Sequence, residues 1–171
     1  RILHSEVHEE RMLALLILSS RFLKADREQQ RQIYETYLAN MKWINNWDLV
    51  DLSAPVIVGG FLLERDKDIL FKLARSANLW ERRIAVMATF CFIRKGIYDC
   101  TLAITEMLLS DREDLIHKAA GWMLREIGKR DKACEQDFLK DHYHNMPRTM
   151  LRYAIEKFSS HEREDYLKGR I

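Results

Sequence analysis

Apolar residues recur at three- and four-residue intervals along nearly the whole chain, in segments of about ten to eighteen residues bounded by caps and breakers. That spacing predicts helices, and no segment reads as a strand. Ser5 opens a predicted helix to about Lys24, and Asp26 with Gln29 has capping-box spacing ahead of one to about Met41. Asn46 caps the next, which Pro55 should kink or restart before Gly59 and Gly60 loosen it near Leu63. Asp66 starts a short helix ending near Ser76, and Asn78 caps a long one stopped by Gly96. Asp99 opens a helix to about Leu109, Asp111 one to about Lys129 and Asp131 one to about Tyr143. Pro147 stands at a helix start, that helix closes near Phe158, and a short helix over Glu162–Lys168 follows.

Helices joined by linkers of a few residues suggest stacked antiparallel pairs, and a repeat is present. Arg11, Trp47, Arg83, Lys118 and Arg152 occupy equivalent places near the starts of alternate helices, at intervals of 36, 36, 35 and 34 residues. One turn further on the column reads Leu15, Asp51, Met87, Trp122 and Glu156. A period of this size predicts an all-α fold, a HEAT-like α-α superhelix in which equivalent positions line one concave surface. The tetratricopeptide repeat has a similar period, but its Trp-Leu-Gly-Tyr signature is absent.

Composition narrows the reading without changing it. The 171 residues carry 28 Lys and Arg against 26 Asp and Glu, a net charge of +2 too small to indicate a polyanionic partner by itself. With 47% hydrophobic residues the chain makes one globular domain over residues 1–171, and 6 Gly with 2 Pro supply too few turns for a sandwich or barrel. The apolar run Leu13–Leu18 is far short of a membrane span, so no membrane partner is expected. Cys91, Cys100 and Cys134 form no Cys-x-x-Cys pair, which points to a reducing compartment, the cytoplasm, and away from zinc.

Candidate chemistry gathers in the repeat columns. Residues four apart share a helix face, so Trp47 projects with Asp51 and Lys118 with Trp122, with Arg83 in the repeat between. Each has an ordinary reading: the tryptophans as core, Asp51 as a helix-face acid or the partner of Arg83 in an internal ladder of ion pairs, and Arg82–Arg83 and Lys129–Arg130 as solvated faces or helix C-terminal charges. Cations, stacking rings and one acid in a single register nevertheless suit a polyanion with a reacting centre better than a generic core. His8, His117, His142 and His144 show no His-Glu-x-x-His spacing, so no metal is expected. No Gly-rich phosphate loop, nucleophile elbow or dinucleotide fingerprint occurs, so neither is a cofactor or nucleotide.

Four blocks in order carry a resemblance: Asn45-Asn46-Trp47-Asp48-Leu49-Val50-Asp51, Leu79-Trp80-Glu81-Arg82-Arg83, the run from His117 to Glu126, and the run from Met146 to Ala154. From about His8 to Tyr166 the sequence resembles the AlkD-type DNA alkylation-repair glycosylases, a HEAT-like family. The family's Trp-x-x-x-Asp falls on Trp47 and Asp51, its Trp-x-x-Arg on Trp80 and Arg83, and its Gly-Trp on Gly121 and Trp122. The resemblance implies excision of cationic alkylated purines such as 3-methyladenine and 7-methylguanine from duplex DNA held in the concave groove, without flipping the lesion into a pocket. The family's further N-terminal helices have no counterpart ahead of Arg1, so the domain is expected to lack them.

On that reading Asp51 stabilises an oxocarbenium-like sugar and orients or deprotonates water, since an alkylated purine leaves as a neutral base and needs no general acid. Trp47 and Trp122 wall the deoxyribose with their π-faces. Arg83 holds the phosphate beside the lesion and keeps Asp51 ionised. Lys118, Arg148 and Arg152 contact phosphates. A monomer at the nucleoid, acting as a monofunctional hydrolase, is expected, although Lys118 would serve a Schiff-base lyase. The alternative is a non-catalytic HEAT-like module that binds damaged or branched DNA, or a protein partner.

Overall fold

The computed structural model describes residues 2–171. Among them every regular element is helical: α1 (His8–Phe22), α2 (Arg27–Ala39), α3 (Trp47–Ala54), a π-helical segment (Pro55–Gly59) running into α4 (Gly60–Leu62), α5 (Asp68–Ala74), α6 (Leu79–Ala88), α7 (Phe90–Ile93), α8 (Asp99–Met107), α9 (Asp114–Gly128), α10 (Lys132–His142), α11 (Arg148–Ala154) and α12 (Ser160–Lys168). Helices α1, α3, α6, α9 and α11 pack each on the next and form one layer, while α2, α5 and α10 back them from the other side. This is the HEAT-like all-α arrangement expected from the repeat.

Side-chain caps set several of the helix starts. The side chains of Asp26, Asn46, Asn78 and Asp131 accept from the backbone N–H of Gln29, Trp47, Trp80 and Cys134, relieving donors that a first turn leaves orphaned. Three expected openings move. Ser5, Asp66 and Asp111 accept from the N–H two residues on, closing turns ahead of helices that begin at His8, Asp68 and Asp114. Pro55 does not end its helix: the backbone passes into π-helical geometry over Pro55–Gly59 and continues into the core, where Pro55, Ile57 and Val58 are buried. The long helix expected from Asn78 breaks at Thr89, a fully buried residue whose hydroxyl donates to the Val86 carbonyl. Its stop at Gly96 stands, in the left-handed region at φ 75°.

The core runs continuously between the layers, from Leu15 and Tyr37 through Ile57 and Met87 to Met123 and Met150. Leu15 and Met87 are wholly buried, so the second repeat column does not keep to one surface: it dips into the core at two helices and emerges beside it at Asp51 and Trp122. Among the described residues no helix is long and apolar enough to cross a membrane.

Candidate nucleic-acid interface and active site

Three helices of the first layer bring together side chains distant in sequence. Asn46 fixes the start of α3, which projects Trp47 outward, 53% exposed, so this indole is not a core residue. One turn along, the Asp51 carboxylate meets the Arg83 guanidinium of α6 in a bidentate fork, Nε to Oδ1 at 2.8 Å and Nη2 to Oδ2 at 2.7 Å. Arg83 is only 4% exposed, and its Nη1 donates to the Leu115 carbonyl in the first turn of α9. The pair therefore ties α3, α6 and α9 together. Burial pushes the Asp51 carboxyl above its ordinary pKa; the two hydrogen bonds and charge of Arg83 oppose that rise, and nearby Asp48 adds to it. Asp48 is in turn held by His8 of α1 at 2.7 Å.

Beside the pair lies an open cavity of about 320 Å³ lined by Trp47, Arg83, Leu115, Lys118, Trp122 and Tyr153. Trp122 packs partly on the core and tilts against Phe90, ring centroids 6.1 Å apart. Lys118 pairs with Asp114 one turn back at 2.7 Å and keeps its ammonium substantially exposed. A larger hollow of about 470 Å³ lies between α1, α2 and the first turn, but it is lined chiefly by aliphatic groups and, among the described residues, has no indole in its lining and no buried ion pair beside it. Chemistry, not size, singles out the smaller one. Among the described residues no group of three or more His, Cys, Asp or Glu is placed to hold a metal ion.

Of the residues expected at the site, Trp47, Arg83, Lys118 and Trp122 line the cavity, and Asp51 is not in its lining but is joined to it through the fork with Arg83. Arg148 and Arg152 do not line the cavity: Arg148 donates to the Leu167 carbonyl at 2.9 Å, and Arg152 is exposed on α11 without an ion pair among the described residues. Tyr153 faces the cavity instead, one residue beyond the expected column. An interval of 35 from Lys118, in place of 34, lands on it. Neither Arg82 nor the Lys129–Arg130 pair is a free solvated charge, and Lys129 and Arg130 sit at the C-terminal end of α9. Arg82 forks onto Asp111 and bonds the Ser76 and Ala77 carbonyls, and Lys129 and Arg130 both bind the buried Glu126.

The sequence profile of the DNA alkylation repair enzyme family matches residues 1–158, which include every side chain of this cavity. The chain belongs to that family. No individually curated protein matches it. Membership makes DNA the partner of this DNA alkylation repair enzyme, and it accords with a surface on which two indoles and two cations meet, one of the cations paired with Asp51.

Proposed function

We propose that this member of the family is a monofunctional DNA glycosylase that hydrolyses the N-glycosidic bond of cationic alkylated purines, 3-methyladenine and 7-methylguanine, in duplex DNA without flipping the base. The observation that carries the reading is the Asp51 carboxylate, held in a two-point fork by Arg83, which itself lines a cavity walled by Trp47 and Trp122.

Departure of a purine already bearing positive charge leaves a cationic sugar and a neutral base. Asp51 offers a fixed anion to that cation, and its raised basicity suits it to take a proton from the attacking water. The water oxygen bonds to the anomeric carbon as the bond to the base breaks, and the bond's electron pair leaves with the base. Trp47 and Trp122 present π-faces to the developing charge. Arg83 spends three N–H groups on Asp51 and Leu115, so its first task is to aim the carboxylate; a phosphate contact falls to its remaining donors. Lys118, Arg148 and Arg152 supply sequence-independent phosphate contacts, and the enzyme works as a monomer at the nucleoid.

The test is release of free 7-methylguanine and 3-methyladenine from methylated duplex DNA by the wild type and by Asp51→Asn, with folding matched by circular dichroism. The expected result is loss of release in the variant by at least about 100-fold with DNA binding kept. One observation favours a second reading: both Asp51 oxygens already face a buried arginine, as in a purely structural pair. No release from either protein, with DNA still bound, would establish a non-catalytic DNA-binding relative.

A further inference from the structure

Trp122 is held at both ends of its indole. Its ring edge meets Phe90, which Arg94 covers with its guanidinium 4.1 Å from the ring centroid. Its Nε1–H donates to Glu126 Oε1 at 3.3 Å, one turn further along α9. Glu126 is 7% exposed and is gripped in turn: Lys129 Nζ lies 2.5 Å from Oε1, and Arg130 Nη1 lies 3.0 Å from Oε2 and 2.7 Å from the Glu126 carbonyl oxygen. Burial alone would raise the Glu126 pKa, but the hydrogen bonds from Lys129, Arg130 and Trp122 together hold it below its ordinary value, so the acceptor is an anion.

We infer that Glu126, clamped by Lys129 and Arg130, is a positioning residue that acts through Trp122, fixing the indole in the cavity wall and enriching its π-face for a cation. This rests on the proposed function, in which that face meets the sugar. Two physical consequences follow from a carboxylate accepting the indole proton. The hydrogen bond removes rotation of the ring about its bond to Cβ, so the wall is preformed before DNA arrives. A negative charge at the N–H end also pushes electron density into the ring, and attraction between a cation and an aromatic face grows with that density. Glu126 does not line the cavity, and its hydrogen bond to the Trp122 indole links it to the cavity wall.

The experiment is a cycle of Glu126→Gln, Trp122→Phe and the double variant, with single-turnover excision, DNA affinity and the indole N–H signals in nitrogen-correlated NMR measured for each. Glutamine keeps the shape and an acceptor while removing the charge. Excision is expected to slow about five- to tenfold in Glu126→Gln at unchanged DNA affinity, and not to slow further when Glu126→Gln is added to Trp122→Phe, which has no N–H to donate. The indole signal absent from Trp122→Phe should be downfield and slow to exchange in the wild type, and should move upfield and exchange faster in Glu126→Gln. Additive rate losses, or an indole signal that does not move, overturn the inference. A wild type that releases no base, with the signal shifting as expected, sustains the hold on Trp122 and overturns only the proposed reaction.

Discussion

Burying an ion pair sets the terms on which Asp51 works. Removing the guanidinium by Arg83→Ala leaves a carboxylate with little solvent around it, and should cost about 3–5 kcal/mol in urea unfolding. The acid limb of the reaction carries the same physics. Because burial raises the Asp51 pKa, the single-turnover rate should fall on acidification at a pH above the ordinary aspartate range, as the carboxylate that the sugar needs takes up a proton. A rate that holds constant through that range would remove Asp51 from the reaction. Gly121 is the other decisive single position. A Cβ there would overlap the Met150 carbonyl and crowd Tyr153, so Gly121→Ala should force α11 away from α9, destabilise the fold by about 1–3 kcal/mol and loosen the Tyr153 side of the cavity. Thermal unfolding and excision assays on that variant check both halves.

At the scale of elements, side-chain chemistry near helix starts was legible only in part. Asp, Asn and Ser cap helices and close turns through the same kind of bond, an oxygen accepting from a nearby N–H, and its register alone does not tell the two apart: Asn78 at a helix start and Asp66 and Asp111 ahead of theirs all accept from the residue two on. What differs is the backbone that follows: Asn46, Asn78 and Asp131 stand directly before helices, whereas Asp66 and Asp111 lie two and three residues ahead of Asp68 and Asp114, where theirs begin. Contact between helices α9 and α10 adds a group that periodicity did not mark. Glu135 is 1% exposed and lies against Gly128; burial lifts its pKa to about 8 despite the opposing charges of Lys132 and Arg125. The folded state thus holds a proton that the unfolded chain gives up near 4.5, so this contribution to stability is complete below that pH and lost as the pH rises through about 8. Glu135→Gln should match the wild type in acid and exceed it above pH 8, by on the order of a few kcal/mol, in unfolding curves taken across that range.

For the whole molecule, net charge is a poor guide and placement is decisive. With a net charge of +2, affinity for DNA depends on a few cations set along one layer. If Lys118, Arg148 and Arg152 contact phosphates, each substitution by alanine should lower the slope of log affinity against log salt by about 0.9 and weaken methylated and unmethylated duplexes alike. A slope that is unchanged in Arg152→Ala would take that residue off the DNA path.

The helical class, the repeat and the residues Trp47, Asp51, Arg83 and Trp122 were all readable from spacing, caps and the family blocks, because helical periodicity and capping are local and four ordered blocks are hard to match by accident. The depth at which each repeat position sits was not. Met87 is wholly buried where Asp51, at the equivalent place, keeps some exposure, and Tyr153 takes the place of Arg152 at the cavity. Pairings across helices, Arg83 with Asp51 and Leu115 or Arg82 with Asp111, join residues about thirty positions apart. Sequence spacing specifies which residues share a face of one helix, but the distance between faces of different helices is set by packing of the side chains between them, and that exists only in the folded protein.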